Sequence, residues 1–135
     1  MMRRPLLGAG LALIMASLSA CATTAGAPLR GTTWALPSAG SAAPPSFKLD
    51  SSELRVTGFA GCNRFTGRFV LEGTQLSFSQ VASTRRTCLN EDDIEPRFLK
   101  ALDDVRGWRL EAGQLVLLAQ DGKALLRLQA APDKP

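Results

Sequence analysis

Only one stretch of this chain spaces its apolar residues at a helical period. Ile94, Phe98, Leu99, Leu102 and Val105 fall on one face of a single helix. Asp92, followed three residues later by Glu95, makes a capping box at its start, and Asp93 adds charge beside the positive end of the helix dipole. Pro96 belongs in the first turn and Gly107 is a natural stop. Elsewhere the apolar residues come in short runs bounded by Gly, Pro, Asp and Ser. Such runs are strands, and strands joined by short turns must pair antiparallel. One amphipathic helix can cover one face of the resulting sheet. The expected class is α+β: a curved antiparallel β-sheet of about seven or eight short strands packed around a single α-helix.

The first strand is expected at residues 31–36 (G-T-T-W-A-L). Residues 37–46 hold three Pro, one Gly and three Ser and form a loop. Residues 47–49 and 54–59 make a hairpin turning at Asp50, Ser51 and Ser52, with Leu54, Val56 and Gly58 on a shared face. Residues 58–67 are dense in Gly. A second hairpin joins 68–71 to 75–78 around Glu72, Gly73 and Thr74, and 81–87 continue extended or looped. Beyond the helix, 108–110, 114–119 and 124–128 form a three-stranded meander. The expected core is the helix face with Trp34, Leu54, Val56, Leu76, Phe78, Trp108, Leu115, Leu117, Leu125 and Leu128.

The first residues have the three parts of a secretory signal. Arg3 and Arg4 make a basic head, 6–18 are nearly all apolar, and small residues precede Cys21. The apolar middle is too short to span a bilayer. Residues 18–21 read L-S-A-C and resemble the lipobox of bacterial lipoproteins. That resemblance implies cleavage before Cys21, a diacylglycerol thioether on its sulfur and an acylated amino terminus. The alternative is an ordinary signal peptide with a Cys nearby. Several acyl chains would anchor the chain stably to membrane lipid where one would not. Ala22, where Asp tends to retain Gram-negative lipoproteins in the inner membrane, points by the same resemblance to the outer membrane, facing the periplasm. The expected organisation is a signal peptide at 1–20, a lipidated tether at 21–29, a folded domain at 30–130 and a flexible tail at 131–135.

Removing 20 of 135 residues takes Arg3 and Arg4 from the 16 basic residues, leaving 14 against 12 acidic, a net charge of about +2. So small a charge gives no reason to expect nucleic acid as a partner. The chain has no His, which excludes hydrolases with a His base and His-ligated metal sites. Adjacent acids such as Asp92–Asp93 and Asp103–Asp104 point in different directions on a helix and do not make a catalytic pair. Calcium-loop and phosphate-loop motifs are absent. No catalytic residue, metal or cofactor is expected, and the reading is non-enzymatic. With Cys21 taken by lipid, Cys62 and Cys88 remain in an oxidising compartment, 26 positions apart. A disulfide closing that loop stabilises by roughly 3.5 kcal/mol in the chain-entropy model. Buried free thiols or a redox couple are the alternatives, although the C-x-x-C spacing of redox couples is absent.

The order G-T-T-W-A-L, V-T-G-F-A-G-C-N-R-F-T-G, A-S-T-R-R-T-C, the helix and then L-V-L-L resembles the META domain, the family of HslJ-like heat-shock lipoproteins. The match runs from about residue 30 to residue 130. Its most specific parts are G-C-N-R-F-x-G at 61–67 and T-R-x-x-C at 84–88. The segment departs from the family's T-R-x-M-A-C at Arg86 and Thr87, which bears only on burial there. The resemblance implies a curved antiparallel sheet around one helix, and an envelope or secreted protein linked to stress response, antibiotic tolerance or virulence. It supplies no catalytic residue set. Two readings of residues 61–67 stand. One is a tight turn pinned by Cys62, with Asn63 bonding local backbone and Gly67 left-handed. The other is a surface ledge of Asn63, Arg64, Thr84 and Arg85 that receives a carboxylate or phosphate. The partner is accordingly an envelope protein or, alternatively, a small ligand taken by an inhibitor-like periplasmic module. A ligand binder requires a pocket beyond what core packing needs, and an interaction module an exposed patch.

Overall fold

The computed structural model describes residues 8, 26–38, 43–88 and 93–132. In chain order its elements are β1 (Thr33–Ala35), β2 (Ser46–Leu49), β3 (Arg55–Phe59), β4 (Arg64–Glu72), β5 (Gln75–Ser83), α1 (Ile94–Asp104), β6 (Gly107–Glu111), β7 (Gln114–Leu118) and β8 (Ala124–Ala131). Each strand is antiparallel to the next, and β8 returns to pair with β1, so the sheet closes into a barrel. The α+β reading of one helix with about seven or eight strands holds, and the strands among the described residues number eight. Closure goes further than the expected curved sheet, because it removes most of the free sheet edge.

Alternation sets the inside of the barrel. Trp34, Phe47, Leu49, Val56, Phe65, Phe69, Leu76, Leu115, Leu117 and Leu128 are all buried and belong to one cluster with Phe98 and Leu102 of α1. Five aromatic side chains, Trp34, Phe47, Phe65, Phe69 and Phe98, are essentially inaccessible. Buried Trp34 keeps its indole N–H satisfied by donating to the Leu29 carbonyl at 3.1 Å. Arg30 ties the start of the domain to the β2–β3 turn, donating to the carbonyls of Asp50 (2.8 Å) and Glu53 (2.9 Å) while lying over the Phe69 ring. Gly58 faces Phe65 across the ladder. A Cβ there would meet the Phe65 ring at 2.5 Å and the Ser46 carbonyl, so only Gly lets the ring fill that place.

Several expectations change. Leu54 is half exposed, because the β2–β3 turn runs on through it and β3 starts at Arg55. Trp108 and Leu125 are only partly buried. Ile94 is exposed at the very start of α1, although a Cβ added at Gly61 would meet its methyl at 3.1 Å. The Gly-dense stretch is mostly strand: β3 and β4 absorb residues 55–59 and 64–72, and only residues 60–63 turn. Gly67 is not left-handed; the positive φ falls on Gly61 (117°). Gly67 instead sits opposite a bulge in β5. Thr66 pairs with Ala82 and Arg68 with Ser79, so Gln80 and Val81 face Gly67 alone, and Gln80 takes a φ of 52°. Beyond the bulge β5 is exposed on both sides.

The helix explains the barrel's thinnest seam. β5 and β6 share a single residue pair, Gln75 with Gly107, since α1 intervenes between them. Phe98 and Leu102 enter the core from α1, which packs against β5 and β8. Of the expected capping box, Asp92 lies outside the described residues. Asp93 stands at the N-cap without a side-chain hydrogen bond, and Glu95 is engaged elsewhere.

Candidate binding groove and the Asn63 node

The turn between β3 and β4 is organised by side chains far away in sequence. Ala60 N donates to the Asn63 carbonyl at 2.9 Å, which closes the turn. Asn63 is the sole buried polar residue among those described, at 6% exposure. Its backbone N–H donates to Glu95 Oε1 (2.9 Å), and its Nδ2 to Glu95 Oε2 (3.1 Å) and the Arg86 carbonyl (3.1 Å). Its Oδ1 accepts from Arg86 N–H (2.7 Å) and from the Thr84 hydroxyl (3.1 Å). One amide thus satisfies the turn, the strap at 84–88 and the first turn of α1 together. Cys62 and Cys88 form a disulfide beside it, with Cα atoms 6.0 Å apart. The strap is therefore held covalently at one end and by Asn63 in its middle.

Strap and strands together wall an open groove of about 1250 Å³ on the outer surface of the barrel. Register builds its floor. Thr33, Lys48, Thr57 and Thr66 lie abreast on four successive strands, and Ala35, Ser46, Phe59 and Arg64 form the next rank. The strap adds Thr84 and Arg86, and Ala43, Pro44, Ala131 and Pro132 complete the rim. Lys48, Arg64 and Arg86 line this groove, and no carboxylate does among the described residues. Arg86 is steadied by one hydrogen bond from Nη2 to the Cys62 carbonyl (3.3 Å). Hydroxyls beside guanidinium groups can hold an anion; nothing in that set is a base or a nucleophile with one.

The groups whose acidity is displaced lie away from the groove. Asp50 is held below the usual carboxylate range chiefly by the Glu53 N–H, then by Ser52. Glu111 is lowered by the hydrogen bond from Arg109 and the charge of Arg127. Lys100 is raised by its contact with Asp104. Among the described residues no group of three or more His, Cys, Asp or Glu is placed to hold a metal ion.

The expected ledge is divided by the structure. Arg64 and Thr84 line the groove; Asn63 is buried beneath it and offers nothing to a ligand; Arg85 is exposed but outside the lining. The Asn63 side chain bonds partners 21 to 32 positions away and not the local backbone. Lys48 and Arg86 were missed. Lys48 had a weak signal, as the outward residue of a strand whose neighbours Phe47 and Leu49 are apolar. Arg86 had only its place beside Cys88. Cys21 and the lipobox lie outside the described residues.

The META domain model matches residues 27–132. The chain belongs to the META family. The match spans the whole barrel, from the segment before β1 to the end of β8. Among solved structures, an NMR structure of a protein from Burkholderia xenovorans is 29% identical, with a TM-score of 0.62 over 76% of this chain and 83% of that one. A second NMR structure, 23% identical with a TM-score of 0.59 over 76% and 91% of the two chains, shares the fold. No curated protein matches the sequence. META is not a known enzyme family.

Proposed function

We propose that this META protein is a lipid-anchored domain of the cell envelope that acts by binding, and that the groove over β1–β4 is its contact surface. The observation that carries the reading is the contrast between inside and outside. Aromatic side chains occupy the barrel interior, which weighs against an enclosed ligand pocket, whereas the outer groove is open, cationic and walled by a disulfide-fixed strap. The anchor rests on L-S-A-C at 18–21, with Cys21 acylated and the domain facing the periplasm from the outer membrane. No helix among the described residues is long and apolar enough to cross a membrane. A role in envelope stress or antibiotic tolerance follows from the family resemblance. It fits a module that holds an envelope component and does no chemistry on it.

Two measurements test this. Full-length protein with Cys21→Ser is expected to leave the membrane fraction and take up no labelled palmitate; retention in membranes would remove the anchor from the account. A photoreactive residue at position 66, in the groove, is expected to capture cell components that the same residue at position 109 does not. Equal capture at the two positions, or none at 66, would remove the groove.

A further inference from the structure

The lining of the groove combines two chemistries. Arg64, Arg86 and Lys48 supply positive charge, and Phe59, Pro44 and Pro132 supply apolar surface in the same lining. We propose that the groove takes a phosphate-bearing membrane amphiphile, its headgroup on the arginines and the beginning of its tail against the apolar rim. The proposal rests on the groove reading above and names its ligand class.

Three observations favour this occupant over an acidic peptide. First, the floor strands β1 to β4 are hydrogen-bonded to neighbours on both sides, so the floor offers no free strand edge to an incoming extended segment. A peptide there would leave its own backbone groups to water. Second, the volume exceeds the range of about 300–1,000 Å³ usual for small-molecule pockets, and the groove is open at its mouth, as a ligand with a long tail needs. Third, guanidinium forks match the oxygens of a phosphate in pairs, and the described residues that line the groove include no carboxylate to compete for them. A purely polar anion would make no use of the rim, and a neutral lipid none of the arginines.

The test uses full-length protein in its native membranes. Photoreactive phosphatidylglycerol and diacylglycerol probes, alike in their tails and differing in the phosphate headgroup, are incorporated, crosslinked and mapped onto the protein. Phosphatidylglycerol is expected to label peptides covering residues 43–48 and 57–66, and Arg64→Ala to cut that labelling about tenfold, the loss that a charge-assisted contact of ~1.4 kcal/mol represents. Arg109→Ala, on the far face, is expected to leave it unchanged. Equal labelling by both lipids, labelling spread evenly over the barrel, or persistence in Arg64→Ala would each overturn the proposal. Capture of protein alone by the photoreactive residue at 66 would overturn it too, while leaving the groove intact as a protein-binding surface.

Discussion

The barrel carries two basic outer faces, and they are built differently. On the meander, Arg109, Val116 and Arg127 lie abreast on β6, β7 and β8. Glu111 sits among them, 3.0 Å from Arg109 Nε and 3.6 Å from Arg127 Nη1, and Val116 is wholly buried in that rank. One carboxylate offsets part of the charge of two arginines, and the surface is closed. On the other side Arg64 and Arg86 border an open groove that no described carboxylate lines. Their positions depend on a strap, a disulfide and one buried amide that join residues 21 to 32 apart. One face is stabilised by what its charges do for each other. The other spends long-range structure on keeping its charges available.

If that difference is real, cutting the long-range structure must open one face locally beyond the loss shared by the whole domain. Replacing Cys62 and Cys88 together by Ser is expected to cost about 3.5 kcal/mol of stability, from the entropy returned to the unfolded chain. Denaturant unfolding measures the loss. Hydrogen exchange should separate global from local loss: amides of the β6–β7 ladder fall by no more than the global destabilisation, while those of Thr84 and Arg86 lose protection further through local opening of the freed strap. Uniform loss across both faces would mean that the bridge supports the whole barrel and not the groove wall.

Asn63→Ala comes next, at about 2–3 kcal/mol, because it strips the Arg86 backbone, Thr84 and Glu95 of partners in a part-buried place. Combined with the double Cys replacement, the loss should fall short of the sum by about 1 kcal/mol, since both devices fix the same strap. Strict additivity would show that amide and bridge act on separate things.

The same contrast governs what could be foreseen. The meander, the hairpins and the helix were legible because their information is local: apolar alternation, turn residues and one helical period within a few positions. Even misses there were small, such as Leu54 slipping out of the core when β3 began one residue later. The groove was not legible in that way. Its floor depends on which residues of four strands stand abreast, and its wall on Asn63 choosing Glu95 and Arg86 over nearer backbone. A Gly-rich run with one Asn fits a local turn or a surface ledge equally well, and neither reading reaches the long-range bonds that the buried amide makes. Cys62 and Cys88 gave the one long-range clue, because counting thiols needs no geometry.

The smallest expected effect belongs to the meander face. Glu111 has its acidity strengthened by the Arg109 hydrogen bond first and by Arg127 second. A carboxyl that ionises more readily folded than unfolded stabilises the fold above its unfolded value, about 4.3 for Glu. That contribution is lost as pH falls through the folded value. Glu111→Gln should therefore lower the melting temperature slightly at pH 7, and the gap from the unaltered protein should close on acidification below pH ~4. The contact is half exposed, so 1 M salt should shrink the gap as well. A gap that survived at low pH would have to come from packing over Val116, and the meander face would then be closed by shape and not by charge.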